Sequence, residues 1–375
     1  MRIGIIATEA SGDRLAASIV KEWQKRDLTV QVEGIVGPDT EALGIQSWFP
    51  MERLSVMGLI EPLKRLPELW RIQRACIKQF LKNPPDVFIG IDSPDFTLAI
   101  EKKLRCAGII TVHIVSPSVW AWRPGRIHRI REAVSLMLPL FPFEQSFYTA
   151  KGIAAHCIGH PLADTIPLTI DTLAAKAVLG FTNKTVIALL PGSREAELRF
   201  MLPVYLKTAE KLSQKIPNAH FMIPLISAQH KKIAEEMVEG LGLQALSLTI
   251  SVKNLSTLLP AADAVLVTAG TATLEVMLYK KPMVIAYKTD FFTYQIVKRL
   301  IQVPYIGLPN LLANAPIVPE LIQDQVTTTQ CTEAILQLLQ QDRENTLQQL
   351  FTQIHHSLKK GAATQAVEKI LTILT

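Results

Sequence analysis

The sequence predicts an α/β protein made of two domains, each a mainly parallel sheet flanked by helices. Short apolar runs alternate with longer segments whose apolar residues recur at helical spacing, which is the pattern of repeated βαβ units. Two such series are separated by a stretch near 160–182 with neither period. The length of 375 residues also favours two domains. We therefore expect two Rossmann-like halves joined by a hinge near 160–180.

The first half, assigned to residues 1–165, opens with an apolar run at 2–8 that predicts a buried strand. A turn is expected at 9–13 and a helix at 14–24. The remaining predicted elements are strands at 32–36, 87–91 and 110–115 and a helix at 98–104.

The second half, assigned to residues 180–330, repeats the alternation. Its predicted strands are 185–190, 221–226, 264–268 and 283–287, and its predicted helices are 196–215, 229–241 and 272–279. The last segment, 331–375, is helical in pattern and rich in Gln and Leu. It is a poor match to a third domain, so we expect it to pack back on one of the two halves.

Composition excludes several classes of protein. Apolar residues make up 49% of the chain and charged residues 19%, which excludes intrinsic disorder. The net charge of +6 is compatible with phosphates, acidic lipid or nucleic acid as partners. Mean hydropathy is high at +0.24, yet no run of about 18 uncharged apolar residues predicts a transmembrane helix. No signal-peptide pattern opens the sequence, so we expect a cytoplasmic protein.

The Leu-Pro-Gly-Ser-Arg block at 190–194 has the features of a diphosphate site. Gly192 lets the backbone turn after a strand, and Ser193 is placed to cap the next helix. Free amide groups and the Arg194 guanidinium at that N-terminus suit a pyrophosphate. The alternative is an ordinary turn with a surface arginine. Neither G-x-G-x-x-G nor G-x-x-x-x-G-K-[ST] is present, which argues against a dehydrogenase or a P-loop ATPase.

A second turn of this kind spans 268–275. Gly270 permits close backbone approach, Thr271 offers a hydroxyl, and Glu275 is placed to accept hydrogen bonds from sugar hydroxyls. The alternative is an imperfect capping box formed by Thr271 and Glu275. Two such turns in one half favour a nucleotide-diphosphate site there.

In the first half, Asp92 and Asp95 follow a predicted strand at the edge where open α/β sheets bind ligands. Either is a candidate general base, although Asp before Ser-Pro is also common in turns. His113 and His160 are further candidate bases, and each alone is more often structural.

The loop at 115–123 carries Trp120 and Trp122 and is followed by several cations. Interleaved aromatic and basic side chains can stack on nucleic-acid bases. We favour the alternative, in which the tryptophans cover a cleft or meet an interface.

The segment 54–82 combines an apolar stripe with a row of cations. The stripe consists of Leu59, Leu63, Leu66 and Trp70. A basic amphipathic segment with Trp can lie in a bilayer interface, and the alternative is a core-facing helix. Because of Pro62 and Pro67, we expect a turn followed by a helix that starts near Pro67.

Several blocks together resemble the lipid-A-disaccharide synthase family. They occur in order over almost the whole chain: Glu9-Ala10-Ser11-Gly12-Asp13, Gly90-Ile91-Asp92-Ser93-Pro94-Asp95-Phe96, the loop Val115 to Trp122, Pro142-Phe143-Glu144, Gly159-His160, Leu190 to Arg194, Gly270-Thr271-Ala272 with Glu275, and Leu308 to Leu312. The sequence departs from the family pattern at Thr8, Ser93 and Thr273.

The resemblance implies a GT-B inverting glycosyltransferase. It would transfer 2,3-diacylglucosamine from UDP to the 6-hydroxyl of 2,3-diacylglucosamine 1-phosphate. Asp92 matches the catalytic acid of the first half and Arg194 an essential arginine of the second. Substrate contacts are expected from Ser11, Gly192, Ser193, Gly270, Thr271, Glu275 and Asn310.

The resemblance also implies work on lipids at the cytoplasmic leaflet of the inner membrane. A homodimer with exchanged C-terminal segments is implied too. No D-x-D of the metal-binding kind is evident, so we expect no cofactor and activity without metal.

Three alternatives remain at this stage. One is another GT-B enzyme, such as a UDP-GlcNAc 2-epimerase or a cell-wall lipid glycosyltransferase. Another is a peripheral membrane protein that binds a sugar nucleotide without catalysis. A nucleic-acid binder is least favoured, because the cations are dispersed and concentrate only beside apolar residues.

Overall fold

A computed structural model describes residues 1–26, 29–54, 61–121, 124–252, 255–340 and 344–375. Within these ranges the side chains of 61–64, 124, 292, 296–297 and 344–345 are not described. The chain forms two compact units. Unit 1 comprises Met1–Asp164 and Leu358–Thr375, and unit 2 comprises Thr165–Ser357.

Unit 1 is built on a parallel sheet of five strands among the described residues. These are β1 (Arg2–Ala7), β2 (Gln31–Ile35), β3 (Val87–Ile91), β4 (Ile110–Ile114) and β5 (Leu136–Leu138). Their order across the sheet is β2-β1-β3-β4-β5, so β3 is central. The helices of residues 1–165 are α1 (Ala10–Lys25), α2 (Pro38–Glu41), α3 (Glu61–Lys82), α4 (Pro94–Cys106), α5 (Ile127–Ala133), α6 (Pro142–Thr149) and α7 (Pro161–Thr165).

The two faces of this sheet pack against different helices. Side chains alternate between the faces, so Ile89 and Ile91 join the cluster with α1, whereas Phe88 joins the cluster with α3 and α4. The strands are apolar on both faces, as expected for a parallel sheet covered on both sides.

Unit 2 contains a second parallel sheet, of six strands within the described ranges. These are β6 (Thr185–Leu190), β7 (Ala219–Pro224), β8 (Leu248–Ser251), β9 (Ala264–Thr268), β10 (Met283–Tyr287) and β11 (Glu320–Ile322), in the order β11-β10-β9-β6-β7-β8. The helices are α8 (Thr172–Leu179), α9 (Glu195–Lys215), α10 (Ala228–Gly240), α11 (Leu255–Leu258), α12 (Ala272–Leu278), α13 (Phe291–Leu300), α14 (Leu308–Ala313), α15 (Thr328–Gln340) and α16 (Glu344–Leu358).

The C-terminal segment divides between the two units, whereas we expected it to pack on one of them. In unit 2, Cys331 and Ile335 of α15 enter the core beside α9. In unit 1, the last helix, α17 (Ala362–Leu374), buries Ala366, Val367 and Ile370 in the core with α1. Helices α15 and α17 each have an apolar face, and each face is buried in the core of its own unit.

Three helix starts lie at least four residues before the predicted ones. Helix α4 begins at Pro94, whereas the prediction was 98. Helix α1 begins at Ala10, inside the expected turn, because Glu9 is extended and serves as the N-cap. Helix α3 begins at Glu61 and runs through Pro67 without a break. Pro62 lies in the first turn, where its missing amide hydrogen removes no helical bond. No helix of the described residues is both long and apolar enough to cross a membrane.

Candidate active site

The turn after β3 holds Asp92 in a strained backbone conformation at the carboxyl edge of the unit 1 sheet. Asp92 has φ 60° and Ser93 φ 42°, both in the left-handed region that non-glycine residues rarely adopt. The Asp92 amide donates to Ile114 O at 3.0 Å, and its carboxylate accepts from the Ser93 amide at 2.8 Å. Such strain persists only where the surrounding structure enforces it, and it concentrates at functional sites.

Neighbouring hydroxyl groups brace this turn. The Thr97 hydroxyl donates to Asp92 O at 3.0 Å and to Ser93 O at 3.1 Å. The Thr8 hydroxyl donates to Ser93 Oγ at 2.5 Å. This hydrogen bond pairs two of the three positions at which the sequence was interpreted as departing from the family pattern.

The structure separates the four candidate bases. Asp95 is exposed and pairs with Arg126 at 3.0 Å. His113 has no exposed surface, so it cannot touch a substrate. His160 is buried, and burial lowers its pKa to about 4. Its Nδ1 accepts from the Leu162 amide at 3.2 Å, which gives it a structural role. Asp92 is the candidate that best combines partial exposure with enforced geometry.

The loop after β4 is anchored by a buried glutamate, Glu144, which belongs to a block that carries the family resemblance but for which no role was predicted. Trp120 Nε1 donates to Glu144 Oε1 at 3.0 Å, and the Phe141 amide donates to Oε2 at 3.1 Å. Burial raises the pKa of Glu144 to about 7 despite these donors. Phe143 packs edge-on against Trp120, with ring centroids 4.7 Å apart. Trp120 is thus held half-buried against α6, and the interpretation that the tryptophans cover a cleft or meet an interface stays a prediction. Trp122 lies outside the described residues.

The Glu-Ala-Ser-Gly-Asp block at 9–13 is exposed at its first three residues and buried at its last two. Ser11 is exposed in the first turn of α1. Asp13 is buried, and its carboxylate accepts from the amides of Gly37 and Asp39, both at 2.8 Å. Ser11 is open to a substrate, as are Glu9 and Ala10, and its predicted contact stays a prediction.

In unit 2, the turn after β6 is closed by a residue absent from the predicted site. The Glu197 carboxylate accepts from the amides of Ser193 at 3.1 Å and Arg194 at 3.3 Å. Gly192 has φ 107°, and a Cβ there would lie 2.6 Å from Glu197 Oε2, so only glycine fits. The sequence predicted that Ser193 caps the helix and that the amide groups of this turn stay free. Both predictions were therefore wrong. Arg194 is the N-cap, and Glu197, three residues later, takes the amides.

The Arg194 guanidinium remains available. Its side chain is 79% exposed and its Nη1 lies 3.5 Å from Glu197 Oε1, a weak surface contact. Tyr287, at the end of β10, lies within range of these charges: burial raises the pKa of its hydroxyl, and Glu197 adds to the effect. The carboxyl ends of β6 and β10 therefore lie at the same edge of the unit 2 sheet.

The turn after β9 presents backbone to solvent. Gly270 and Thr271 are exposed, and a Cβ added at Gly270 would meet no atom within 4 Å. Thr271 makes no side-chain cap bond, so the capping-box alternative for Thr271 with Glu275 is not what holds this turn. The hydroxyl that stabilises it belongs to Thr273, which donates to Gly270 O at 2.8 Å. Glu275 is half-buried one turn into α12.

Asn310 has a structural role in unit 2. It is buried, and its amide donates to Val318 O at 2.9 Å and to Glu320 Oε1 at 2.8 Å. Glu320 in turn accepts from the amides of Ile306 and Gly307, both at 3.0 Å. The side chain of Asn310 thus holds β11 against α14, and its predicted substrate contact stays a prediction.

The predicted membrane stripe lies partly on the outer side of α3. The core side of this helix carries Ile72, Cys76 and Phe80. Trp70 is 58% exposed, and Leu66 is half-buried. Leu59 and the side chain of Leu63 lie outside the described part of the chain. Trp70 therefore does not face the core, contrary to the core-facing alternative.

The described residues contain no group of three or more His, Cys, Asp or Glu side chains arranged to hold a metal ion. The positive charge near the unit 2 turns comes from Arg194 and the N-terminus of the 21-residue helix α9.

Comparison with known proteins gives one consistent family. Residues 3–370 match the family described as lipid-A-disaccharide synthetase. The chain is 47% identical over 372 residues to the lipid-A-disaccharide synthase of Pseudomonas putida KT2440, covering 99% of this chain and 98% of that one. It is also 47% identical over 375 residues to the enzyme of Pseudomonas aeruginosa UCBPP-PA14, covering 100% and 98%.

Solved structures share the fold at low sequence identity. The UDP-GlcNAc 2-epimerase of Neisseria meningitidis, bound to UDP-GlcNAc, superposes with a TM-score of 0.68 at 14% identity, covering 99% of this chain and all of that chain. MurG of Acinetobacter baumannii superposes with a TM-score of 0.59 at 13% identity, covering 99% of both chains. These likenesses show the GT-B fold predicted from the sequence. The chain therefore belongs to the lipid-A-disaccharide synthase family and is a glycosyltransferase of lipid A biosynthesis.

Proposed function

We propose that the protein joins UDP-2,3-diacylglucosamine and 2,3-diacylglucosamine 1-phosphate into the β-1,6-linked disaccharide 1-phosphate and releases UDP. The family supports the substrates, since the curated relatives carry the name of this synthase. The observation that carries the chemistry is the position of the Asp92 carboxylate. It lies at the carboxyl edge of the unit 1 sheet, on a residue whose backbone is strained to φ 60°.

In this proposal Asp92 is the general base for the acceptor. It takes the proton of the 6-hydroxyl while that oxygen forms a bond to the anomeric carbon of the donor. The bond from that carbon to the diphosphate oxygen breaks, its electron pair leaves with UDP, and the configuration inverts. A carboxylate in an enforced position suits this role, because proton transfer requires hydrogen-bond reach to the hydroxyl. Ser11, exposed on α1, is assigned to the acceptor as well.

Unit 2 is assigned to the donor. The exposed Arg194 guanidinium and the Gly192–Ser193 backbone would stabilise the charge that develops on the departing diphosphate. The exposed backbone at Gly270 and Thr271 and the carboxylate of Glu275 would complete the UDP-sugar contacts. Because Glu197 accepts from the Ser193 and Arg194 amides, diphosphate binding requires this carboxylate to yield its place.

The reaction in this proposal needs no metal ion. Arg194 and the α9 N-terminus supply the positive charge that a divalent cation supplies in other transferases. Activity should therefore persist in EDTA. Loss of activity in the chelator that Mg²⁺ restores would contradict this part.

The site of action in the proposal is the cytoplasmic leaflet of the inner membrane, where both diacylated substrates reside. Trp70, with 58% of its surface exposed, and the neighbouring Arg71 and Arg74 support contact with an anionic interface. Trp70→Ser should weaken binding to vesicles of phosphatidylethanolamine and phosphatidylglycerol in a flotation assay. Leu173→Ser, which removes an exposed apolar side chain in unit 2, is the matched control. Equal losses in both variants would count against a specific role for α3.

A homodimer that exchanges its C-terminal segments is also part of the proposal. In the exchange, the C-terminal segment would make its contacts with unit 1 of the partner copy. These contacts are the hydrogen bonds from the amides of Gly361 and Ala362 to Asp164, at 2.8 and 2.7 Å, and the apolar face that α17 buries beside α1. Light scattering should report twice the chain mass of 41.6 kDa, and a monomer would contradict this part.

The decisive assay supplies the purified protein with both lipid substrates and identifies the product by mass spectrometry. We expect the disaccharide 1-phosphate and one UDP for each bond formed. Donor alone should release no UDP, whereas an epimerase would act on it. No disaccharide and no UDP with both substrates present would overturn the proposed function.

A further inference from the structure

The core of unit 1 contains an ion pair that the proposed reaction does not use. Glu101 of α4 and His113 of β4 have no exposed surface, and His113 Nδ1 lies 2.8 Å from Glu101 Oε1. Burial disfavours the charged imidazole, but the Glu101 carboxylate, and further off the charge of Asp92, outweigh it and raise the pKa of His113.

Stability alone is a weak reason to keep this pair. Two buried charges lose their hydration, and apolar replacements of similar volume are often neutral or stabilising. Glu101 Oε2 has no hydrogen-bond partner among the described residues, whereas the backbone of Val115 bonds the imidazole and helps to raise the pKa of His113. One buried carboxylate oxygen of the pair is thus left unsatisfied, a cost that packing alone does not explain.

The surrounding backbone is adapted to this pair. Gly90 lies opposite His113 in the β3–β4 register, two residues before Asp92. A Cβ on Gly90 would overlap Glu101 Oε1, so the absence of a side chain there makes room for the carboxylate.

The pair joins the two elements that hold the Asp92 backbone. From α4, one turn before Glu101, the Thr97 hydroxyl donates to the carbonyls of Asp92 and Ser93 at 3.0 and 3.1 Å. From β4, the residue after His113 accepts the Asp92 amide at 3.0 Å. The bond between Glu101 and His113 therefore fixes the distance between the Thr97 hydroxyl and the Ile114 carbonyl, the two groups that hold the strained turn.

We propose that Glu101 and His113 are positioning residues for the reaction, which clamp α4 to β4 and thereby hold the Asp92 carboxylate on the acceptor hydroxyl. This inference rests on the role of Asp92 in the proposed function. Neither residue touches the substrate, so both act only through Asp92.

The test is a double-mutant cycle on turnover. Glu101→Gln keeps the shape of the side chain and removes its charge. We expect kcat to fall by about 10- to 100-fold, the scale of a small misplacement of a reacting group, with KM for both substrates little changed. In the Asp92→Asn background the same change should lower the residual kcat no further, because the base it positions is already absent.

Thr111→Val is the matched control. Thr111 is buried on the same face of β4, two residues before His113, and its hydroxyl donates to Ala133 O at 2.7 Å. It should lower the melting temperature without the loss in kcat. Equal losses in kcat for Thr111→Val and Glu101→Gln, or an additive loss in the Asp92→Asn background, would overturn the positioning role.

If Glu101→Gln does not fold, His113→Gln, which removes the other half of the pair, is carried through the same cycle. Thr97→Val then tests the link from α4 to Asp92 separately. This nearly isosteric change removes the hydroxyl link from α4 to Asp92 and leaves the ion pair in place. A loss in kcat that disappears in the Asp92→Asn background supports the clamp, and a loss that persists contradicts it. Full activity of Asp92→Asn itself would instead refute the proposed base.

Discussion

The turn after β3 in unit 1 and the turn after β6 in unit 2 occupy equivalent places, at the carboxyl end of an inner strand, yet they are held in opposite ways. Asp92 is strained and braced from two elements. Arg194 extends into solvent with 79% of its side chain exposed, and its turn is satisfied by its own Glu197. The contrast fits the two tasks that we propose for these turns. A general base must stay within reach of one hydrogen, whereas a diphosphate site must admit the donor and release UDP.

The largest effect should come from the braced turn. Asp92→Asn is expected to lower kcat by about 10²–10⁴-fold, because the amide cannot take the acceptor proton. Titration calorimetry should show unchanged UDP binding. Asp95→Asn is the control, since Asp95 pairs with Arg126 on the surface. The assignment fails if Asp95→Asn is inactive while Asp92→Asn retains full turnover.

The exposed turn should give the next largest effect. Arg194→Ala is expected to lower kcat/KM for the UDP donor by about 10²–10³-fold, the range for loss of one donor to a developing negative charge. The melting temperature should not change, because Arg194 makes little contact with the fold. Arg199→Ala, an exposed arginine on the same helix that pairs with Glu195, is the control. A comparable loss there would indicate a general charge effect.

The buried polar groups of unit 1 predict a pH dependence of stability. Burial raises the pKa of Glu144 from 4.5 to about 7, so between these values the folded protein keeps a proton that the unfolded chain has lost. The contribution of Glu144 to stability should therefore fall as pH rises through this window, by at most about 3 kcal/mol, and level off above it. His160, whose pKa burial lowers to about 4, contributes with the opposite sign, so the comparison with a Glu144 variant isolates the effect.

Urea unfolding of the wild type and Glu144→Gln between pH 5 and 8 measures this effect, since the variant lacks the titrating group. The difference in stability between the two should change across that window. Glu132→Gln, which alters an exposed glutamate on α5, should leave the pH dependence of the wild type intact. An unaltered pH profile in Glu144→Gln would show that Glu144 does not titrate there.

The smallest effect concerns the internal cap of the exposed turn. Glu197→Gln removes the negative charge that shares the Ser193 and Arg194 amides, so UDP should bind a few-fold more tightly, in line with about 0.3–1 kcal/mol for a charge at a helix N-terminus. Calorimetry with UDP measures this change. Glu195→Gln in the same helical turn is the control. Weaker binding in Glu197→Gln would mean that Glu197 shapes the site and does not compete for it.

The sequence by itself determined the α/β class, most of the longer inner strands and the two turns that carry Asp92 and Arg194. These are local properties: apolar runs of strand length, helical periodicity and turn residues at strand ends all appear in short windows. Strands 87–91 and 185–190 were predicted with the observed bounds. The short strands β5, β8 and β11 were missed, because three or four residues carry too little periodicity.

Only the tertiary structure decided which polar groups are free and which are occupied. Glu197 accepts from an amide that the sequence predicted to be free, and Asn310 donates to Glu320. Glu144 accepts from Trp120, which lies in the loop after β4. Likewise, nothing in the sequence indicated that Glu101 of a helix and His113 of a strand form a pair. Hydrogen bonds and burial are long-range properties, because they depend on which elements become neighbours once the sheet has formed. Residue type and spacing therefore identify candidate functional residues. Packing decides which of these residues remain free to contact a substrate.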